Sequence, residues 1–245
     1  MIYARLMKDR LWLIGSAIVI AAAMVVGSYA IGGGIDNRDR NQTISVTGSA
    51  KKRITSDYVI WDSSVTSQQA TPQAAATELK DWTAKIESFL HTQGVLASEL
   101  TQTPVTAETV TKNGDGSGKI VGYALTRNFE VRSSRVAQIA TVVDHSSALL
   151  ETGIPIQLQP VQYIFTKLAS VRPELLAAAA KDALARARVL VGATGDHLGK
   201  LREVDVGVFQ VTSPNSTDVS DYGEYDTSTL QKDVTAVVNV SIALS

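Results

Sequence analysis

Pro173–Gly195 reads PELLAAAAKDALARARVLVGATG, and the fold class turns on this segment. Proline suits the first turn of a helix, where its missing N–H is not needed, and the run that follows is rich in strong helix formers. Its alanines are small enough to let a helix lie close on a sheet, so the segment predicts a sheet-packing helix from Pro173 that ends near Gly195. Lys181, Arg186 and Arg188 give it a basic polar stripe, read as a solvated face.

Strands are expected on both sides. Downstream, Leu201–Val211 and Val234–Leu244 read as strands separated by a surface loop, Thr212–Thr229, rich in Ser, Thr, Asp, Asn and Gly. Upstream, Ile154–Thr166 reads as a strand whose apolar phase shifts at Pro160, which predicts a bend. Before it, Ser134 is a candidate cap for a helix lined by Val136, Ile139, Val143 and Leu150 and stopped at Gly153. Glu99–Val110 and Ile120–Arg132 form a long hairpin across the glycine-rich loop Lys112–Lys119, with Val121, Tyr123, Leu125, Phe129 and Val131 on one face of its second strand. Thr71-Pro72 starts an amphipathic helix with Ala75, Leu79, Trp82, Ile86 and Leu90 at helical spacing, ending at Gly94. Thr43–Thr47 and Tyr58–Val65 are the first two strands, with Lys51-Lys52-Arg53 read as a charged turn between them. The order β-β-α-β-β-α-β-α-β-β implies an α+β fold, a mixed or antiparallel sheet with helices packed on it.

The chain begins differently. Leu11–Ile31 carries no charge, and at 1.5 Å per residue it reaches about 30 Å, the thickness of a bilayer's hydrocarbon core. Arg5, Lys8 and Arg10 precede it, so the positive-inside rule places residues 1–10 in the cytoplasm. Residues 11–31 are then one transmembrane helix, 32–41 a linker opening on three glycines, and 42–245 a domain outside the cytoplasm, in the periplasm of a bacterial inner-membrane protein. The rival is a cleaved signal peptide, since Ser28-Tyr29-Ala30 resembles a small-x-small site; the length of the apolar run favours the anchor.

Composition narrows the function. The 245 residues carry 23 Lys+Arg against 24 Asp+Glu, a balance that argues against nucleic acid as a partner. There is no cysteine, which excludes disulfides, thiolate metal sites and cysteine nucleophiles.

Five stretches carry a family likeness: ISVTGSAKKRITSDYVIW from Ile44, the helix ending TQGV at Val95, KIVGYALTRNFEVR from Lys119, DHSSALLETGI from Asp144, and GATGDHLGKLREV from Gly192. In order and spacing the chain resembles the SIMPL-domain family of bacterial periplasmic and immunogenic surface proteins. Gly122-Tyr123, Ala179, Ala183, Ala187 and Leu198-Gly199 are its most telling residues; Ser56-Asp57 stands where a proline-aspartate is usual. The resemblance implies an exported α+β fold, ring-shaped or channel-like assembly in some members, and no shared enzymatic activity.

Candidate chemistry is sparse. Gly114–Lys119 fails as a phosphate loop because Asn113 and Ile120 stand where glycine and Ser/Thr are required. His91, His145 and His197 sit near different helix ends with no second ligand at i+3 or i+4. No serine lies in a G-x-S-x-G or S-x-x-K context, and the acid pairs Asp57/Asp62 and Asp144/Glu151 read as solvated carboxylates. Asp218, Asp221, Glu224 and Asp226 make an oxygen-rich loop without an EF-hand register. No catalytic, cofactor-binding or metal residue is therefore assigned. The expected function is that of a non-enzymatic, membrane-anchored envelope protein that self-assembles as a structural or scaffolding component. Its expected partners are the lipid bilayer through residues 11–31, further copies of itself and an unnamed envelope protein. The alternatives are a binding module for a small ligand or membrane protein and, behind it, a hydrolase.

Overall fold

The computed structural model describes residues 42–112, 118–216 and 222–245; the anchor segment Leu11–Ile31 and the tip of the glycine-rich loop lie outside them. The strands are β1 (Thr43–Thr55), β2 (Tyr58–Gln69), β3 (Leu100–Gln102), β4 (Thr106–Thr111), β5 (Ile120–Ser133), β6 (Ile156–Leu158), β7 (Gln162–Ile164), β8 (Leu198–Val206), β9 (Gln210–Thr212) and β10 (Gln231–Leu244). The helices are α1 (Pro72–Thr92), α2 (Val136–His145), α3 (Ala148–Glu151) and α4 (Leu168–Thr194). They form two compact units: Ala50–Ala177 with Val208–Ala236, and the part of β1 up to Ser49 with Ala178–Gly207 and Val237–Ser245.

In the larger unit β2 pairs antiparallel with β5 from Val59↔Ser133 to Gln69↔Tyr123. β3 and β4 occupy the far edge of β5, and β6 and β7 the far edge of β2. Alternation puts Val59, Trp61 and Val65 of β2 and Leu125, Phe129 and Val131 of β5 into one core with Leu79, Ile86 and Leu90 of α1 and Ile139 and Val142 of α2. Full burial of each large side chain is worth about 1.5–3 kcal/mol, which makes this cluster the main source of the unit's stability. Thr71 accepts a hydrogen bond from Ala74 N at 3.3 Å, and Pro72 follows it, the start expected for α1. Gly94, at φ +93°, ends it.

In the smaller unit the central strand segment Val238–Leu244 of β10 pairs antiparallel with β8, and β1 lies on its other edge. Ser45 meets Ser241 at 2.7 Å and Thr47 donates to Asn239 at 3.5 Å, so β1 and β10 run in opposite directions. Gly48 of β1 touches α4 directly: a Cβ built there would sit 2.3 Å from Ala179 O and 2.3 Å from Ala183 N. Ala179, Ala183 and Ala187 are each fully buried, the close helix-on-sheet contact that the alanine run predicts.

Several expected boundaries move, each for a physical reason. Lys51-Lys52-Arg53 is not a turn but part of β1; Asp233 takes the charges of Lys51 and Arg53, and Glu174 that of Lys52, while the turn falls at Ser56-Asp57. The strand expected from Glu99 to Val110 breaks into β3 and β4 at Pro104, which has no N–H for a ladder. Ile154–Thr166 likewise divides into β6 and β7 on either side of Pro160. Ser134 caps nothing: Arg135 is the residue before α2 and makes no side-chain cap bond. The helix stops at Ser146, whose hydroxyl and N–H both donate to Val143 O, so Leu149 is buried in place of Leu150. Val121 is exposed at the frayed start of β5. α4 begins one turn early, at Leu168, with Pro173 inside, near its start, where proline offers no N–H to Ala169 O. The strand expected over Leu201–Val211 starts at Leu198 and breaks after Val206 into β8 and β9, since Gly207 N donates to Val237 O at 2.9 Å as the ladder ends.

Candidate interaction surface

β8 is a strand of the smaller unit with one partner. It pairs with β10, and among the described residues no strand pairs with its other edge. Leu201 lies opposite Ile242, Val204 opposite Val240 and Val206 opposite Val238. Opposed residues share a face, so these three β8 side chains belong to the apolar face of the sheet. Their β10 partners are buried, whereas Leu201, Val204 and Val206 are 57%, 46% and 56% exposed. α4 covers the sheet above β1 and β10, and its cover runs out before β8. The result is an open groove of about 480 Å³ lined by Ala180, Leu184 and Arg188 of α4, Leu198, Gly199, Leu201 and Val204 of β8, and Val240 and Ile242 of β10. Val189 and Leu190 of α4 are also exposed, at 74% and 51%. Leu201 and Val204 share the groove with Leu198, and apolar residues gathered in this way mark an interaction site, whereas scattered exposed ones do not.

The strand is not straight. Val206 to Glu203 keep step with Val238 to Ser241, but Ile242 then faces Leu201, so Arg202 is an extra residue, and a second shift follows, with Leu198 rather than Gly199 opposite Leu244. This β-bulge puts Leu201 and Val204, three apart, on the same face. Lys200 and Arg202 do not line the groove, and Glu203 and Asp205, opposite Ser241 and Asn239, lie on the polar face. Among the described residues none of these four charged groups has an ion-pair partner; the pairs within this unit include Arg186 with Asp182 at 2.9 Å, which settles part of the basic stripe of α4 as a solvated face.

The groups with shifted ionisation lie elsewhere and have structural partners. Arg135 donates to Glu99, holding its carboxyl down at about 2, with Ser133 and the Leu96 N–H adding to the effect against burial. Burial pushes Asp226 up, but Thr229 and Ser228 donate to it and the Lys232 ammonium stands 3.3 Å away, so its carboxyl stays well below the usual range. Burial lowers Lys232, which is fully enclosed and also donates to Thr229 O at 2.5 Å. Arg53 holds Asp233 below the ordinary range, and Asp233 also accepts from Asn215 N at 3.2 Å. Each set ties a loop to a strand, and the hydroxyls of Ser133, Ser228 and Thr229 are spent as donors to the carboxylates.

The remaining candidates are separated. His91 Nδ1 meets Val95 O at 3.0 Å and His145 Nδ1 meets Gln93 Oε1 at 3.1 Å, while His197 exchanges backbone bonds with Ser245. Asp57 accepts from Thr166 N at 2.7 Å and pairs with Lys167, and Asp62 takes no part. Asp218, Asp221 and residues 113–117 lie outside the described residues; Asp226 is committed to Lys232. Among the described residues no group of three His, Asp or Glu side chains is placed to hold a metal ion, and no helix is long and apolar enough to cross a membrane.

Sequence reading missed the surface itself. Leu201, Val204 and Val206 were legible as strand residues, but spacing alone gives neither the bulge nor the missing cover.

The Glu99 pair yields a prediction. Its carboxyl falls from an ordinary 4.5 to about 2 on folding. A lowered value means that the stability it supplies is complete above the unfolded value and is lost as pH falls through the folded one. Glu99→Gln is expected to cost on the order of 2 kcal/mol at neutral pH, with the difference from the parent shrinking between pH 4.5 and 2. Urea unfolding across that range checks it, and a pH-independent difference would contradict the assignment.

Comparison with known proteins bears on the family resemblance of the sequence. No curated protein matches the chain. Solved structures share little: an amidase of the hydantoinase/carbamoylase family from Burkholderia phymatum is 13% identical, over 49% of this chain and 32% of that one, with a TM-score of 0.28. A putative aminohydrolase from methicillin-resistant Staphylococcus aureus is 14% identical, over 48% and 30%, at 0.24. The regulatory subunit of aspartate kinase from Thermus thermophilus is 16% identical, over 81% and 88%, at 0.19. The chain spans about a third of the length of the two hydrolases, and scores this low carry no argument about activity. The family model SIMPL, described as a protein of unknown function (DUF541), matches residues 44–242, nearly the whole described body, and the chain therefore belongs to the SIMPL family.

Proposed function

We propose that this chain is a non-enzymatic module of the bacterial cell envelope, anchored by residues 11–31, whose body outside the cytoplasm joins further copies of itself as a structural scaffold. The observation that carries the reading is the β8 edge, where Leu201, Val204 and Val206 extend a buried apolar face into solvent. An open edge with apolar side chains is a template for pairing, and a surface protein that keeps one uncovered uses it or risks aggregation. A single anchor sets every copy on one side of the membrane, so a closed assembly has its rotation axis along the membrane normal. The full-length chain extracted in mild detergent is expected to give one defined oligomeric mass above the monomer by native mass measurement. A strictly monomeric mass at membrane-like concentration would overturn this reading.

The groove volume favours one alternative. A cavity of about 480 Å³ with an apolar lining and a single arginine, Arg188, suits a small apolar ligand with an acidic end. A monomer that binds such a ligand would put that reading first.

A further inference from the structure

We propose that β8 pairs with β8 of a second copy, antiparallel about a two-fold axis, in the register that sets Arg202 against Glu203 of the other copy; this deepens the self-association reading and rests on it. The argument is the order of residues along the exposed edge: Gly199, Lys200, Leu201, Arg202, then Glu203, Val204, Asp205, Val206. Folded back on a copy of itself at its midpoint, this segment matches Lys200 with Asp205, Leu201 with Val204, and Arg202 with Glu203. Every cation meets an anion and the apolar residues meet each other. Slipping by one residue destroys the match, because it sets either Arg202 or Glu203 against its own copy and Leu201 against a charge. Cross-strand opposite charges favour pairing and like charges oppose it, so the edge is attractive in one register.

Geometry allows that register only because of the bulge. In an isologous antiparallel pair the two-fold axis is perpendicular to the sheet, so opposed residues must lie on the same face. Leu201 and Val204 are three residues apart and in a regular strand would point to opposite faces. Arg202, the extra residue, brings both onto the face shared with Ile242 and Val240. Bulges and edge charges ordinarily keep strands apart. Here the same bulge gives the odd register its matched faces, and the charges select a second copy of this chain over an unrelated strand. The four charged side chains are exposed and, among the described residues, have no ion-pair partner, as an interface awaiting its other half requires.

The test uses two variants of the full-length chain in mild detergent. Lys200→Asp puts carboxylates opposite one another twice in the two-fold pair, and Asp205→Lys does the same with ammonium groups. Each alone is expected to associate at least tenfold more weakly than the parent by native mass titration. Mixed in equal amounts the two are complementary at both positions, so the mixture is expected to regain parental affinity as a heterodimer, an outcome that requires both variants to be folded. If single variants associate like the parent, the interface lies elsewhere and this register is wrong, while the self-association reading stands. Weak singles whose mixture stays weak would also overturn the register. A monomeric parent would overturn both.

Discussion

Gly48→Ala is expected to cost about 3 kcal/mol or more, a large share of the stability a folded domain usually has. The added methyl carbon would stand 2.3 Å from both Ala179 O and Ala183 N, atoms of helix backbone that have no rotamer to change. Relief requires α4 to lift from β1, and that would open the contacts of Ala179, Ala183 and Ala187, each fully buried. Gly192→Ala in the same helix is the control: nothing lies within 4 Å of its new Cβ. Helix propensity should make that variant more stable by roughly 0.5–1 kcal/mol. Urea midpoints of the two variants should therefore move in opposite directions. A Gly48→Ala protein as stable as its parent would contradict the packing of β1 on α4.

Asp226→Ala should be comparably damaging in the larger unit. Lys232 is fully buried and keeps its charge through Asp226 at 3.3 Å and Thr229 O at 2.5 Å. Removing the carboxylate leaves an uncompensated ammonium in the interior, a loss of about 3–5 kcal/mol, whereas replacing both partners by apolar groups is often nearly neutral. The double variant Asp226→Ala/Lys232→Met should thus recover much of what the single variant loses. A single variant that unfolds at the parental urea concentration would show that water already reaches Lys232.

Local signals were legible where they were self-contained. Thr71-Pro72 and the spacing of Ala75, Leu79, Ile86 and Leu90 fix α1 within its own sequence, and Pro160 announces the bend between β6 and β7. The alanines of α4 foretold a close contact, though not that Gly48 would be what they meet. Errors arose where a distant residue decides. Lys51 and Arg53 look like a turn until Asp233, 180 residues from Arg53, takes their charge. Ser134 looks like a cap, but the chain enters α2 with Arg135 turned toward Glu99. The interaction surface was the least legible, because an uncovered strand and a one-residue bulge depend on which neighbours stop short.

The smaller unit draws on the start, middle and end of the described chain, and its bonded pair Ser45 and Ser241 are 196 positions apart. During synthesis the first strand emerges early and has no partner until the last has been made. α4 and β8 are complete before Val237–Leu244 arrive to sit between β1 and β8, so for that interval the inner edges of β1 and β8, which β10 covers in the finished sheet, are open as well. Contacts between neighbouring nascent chains at that stage would join the wrong edges. The order of synthesis thus makes the surface proposed to unite copies among the last parts of the protein to become competent, after the final strand has closed off the alternative.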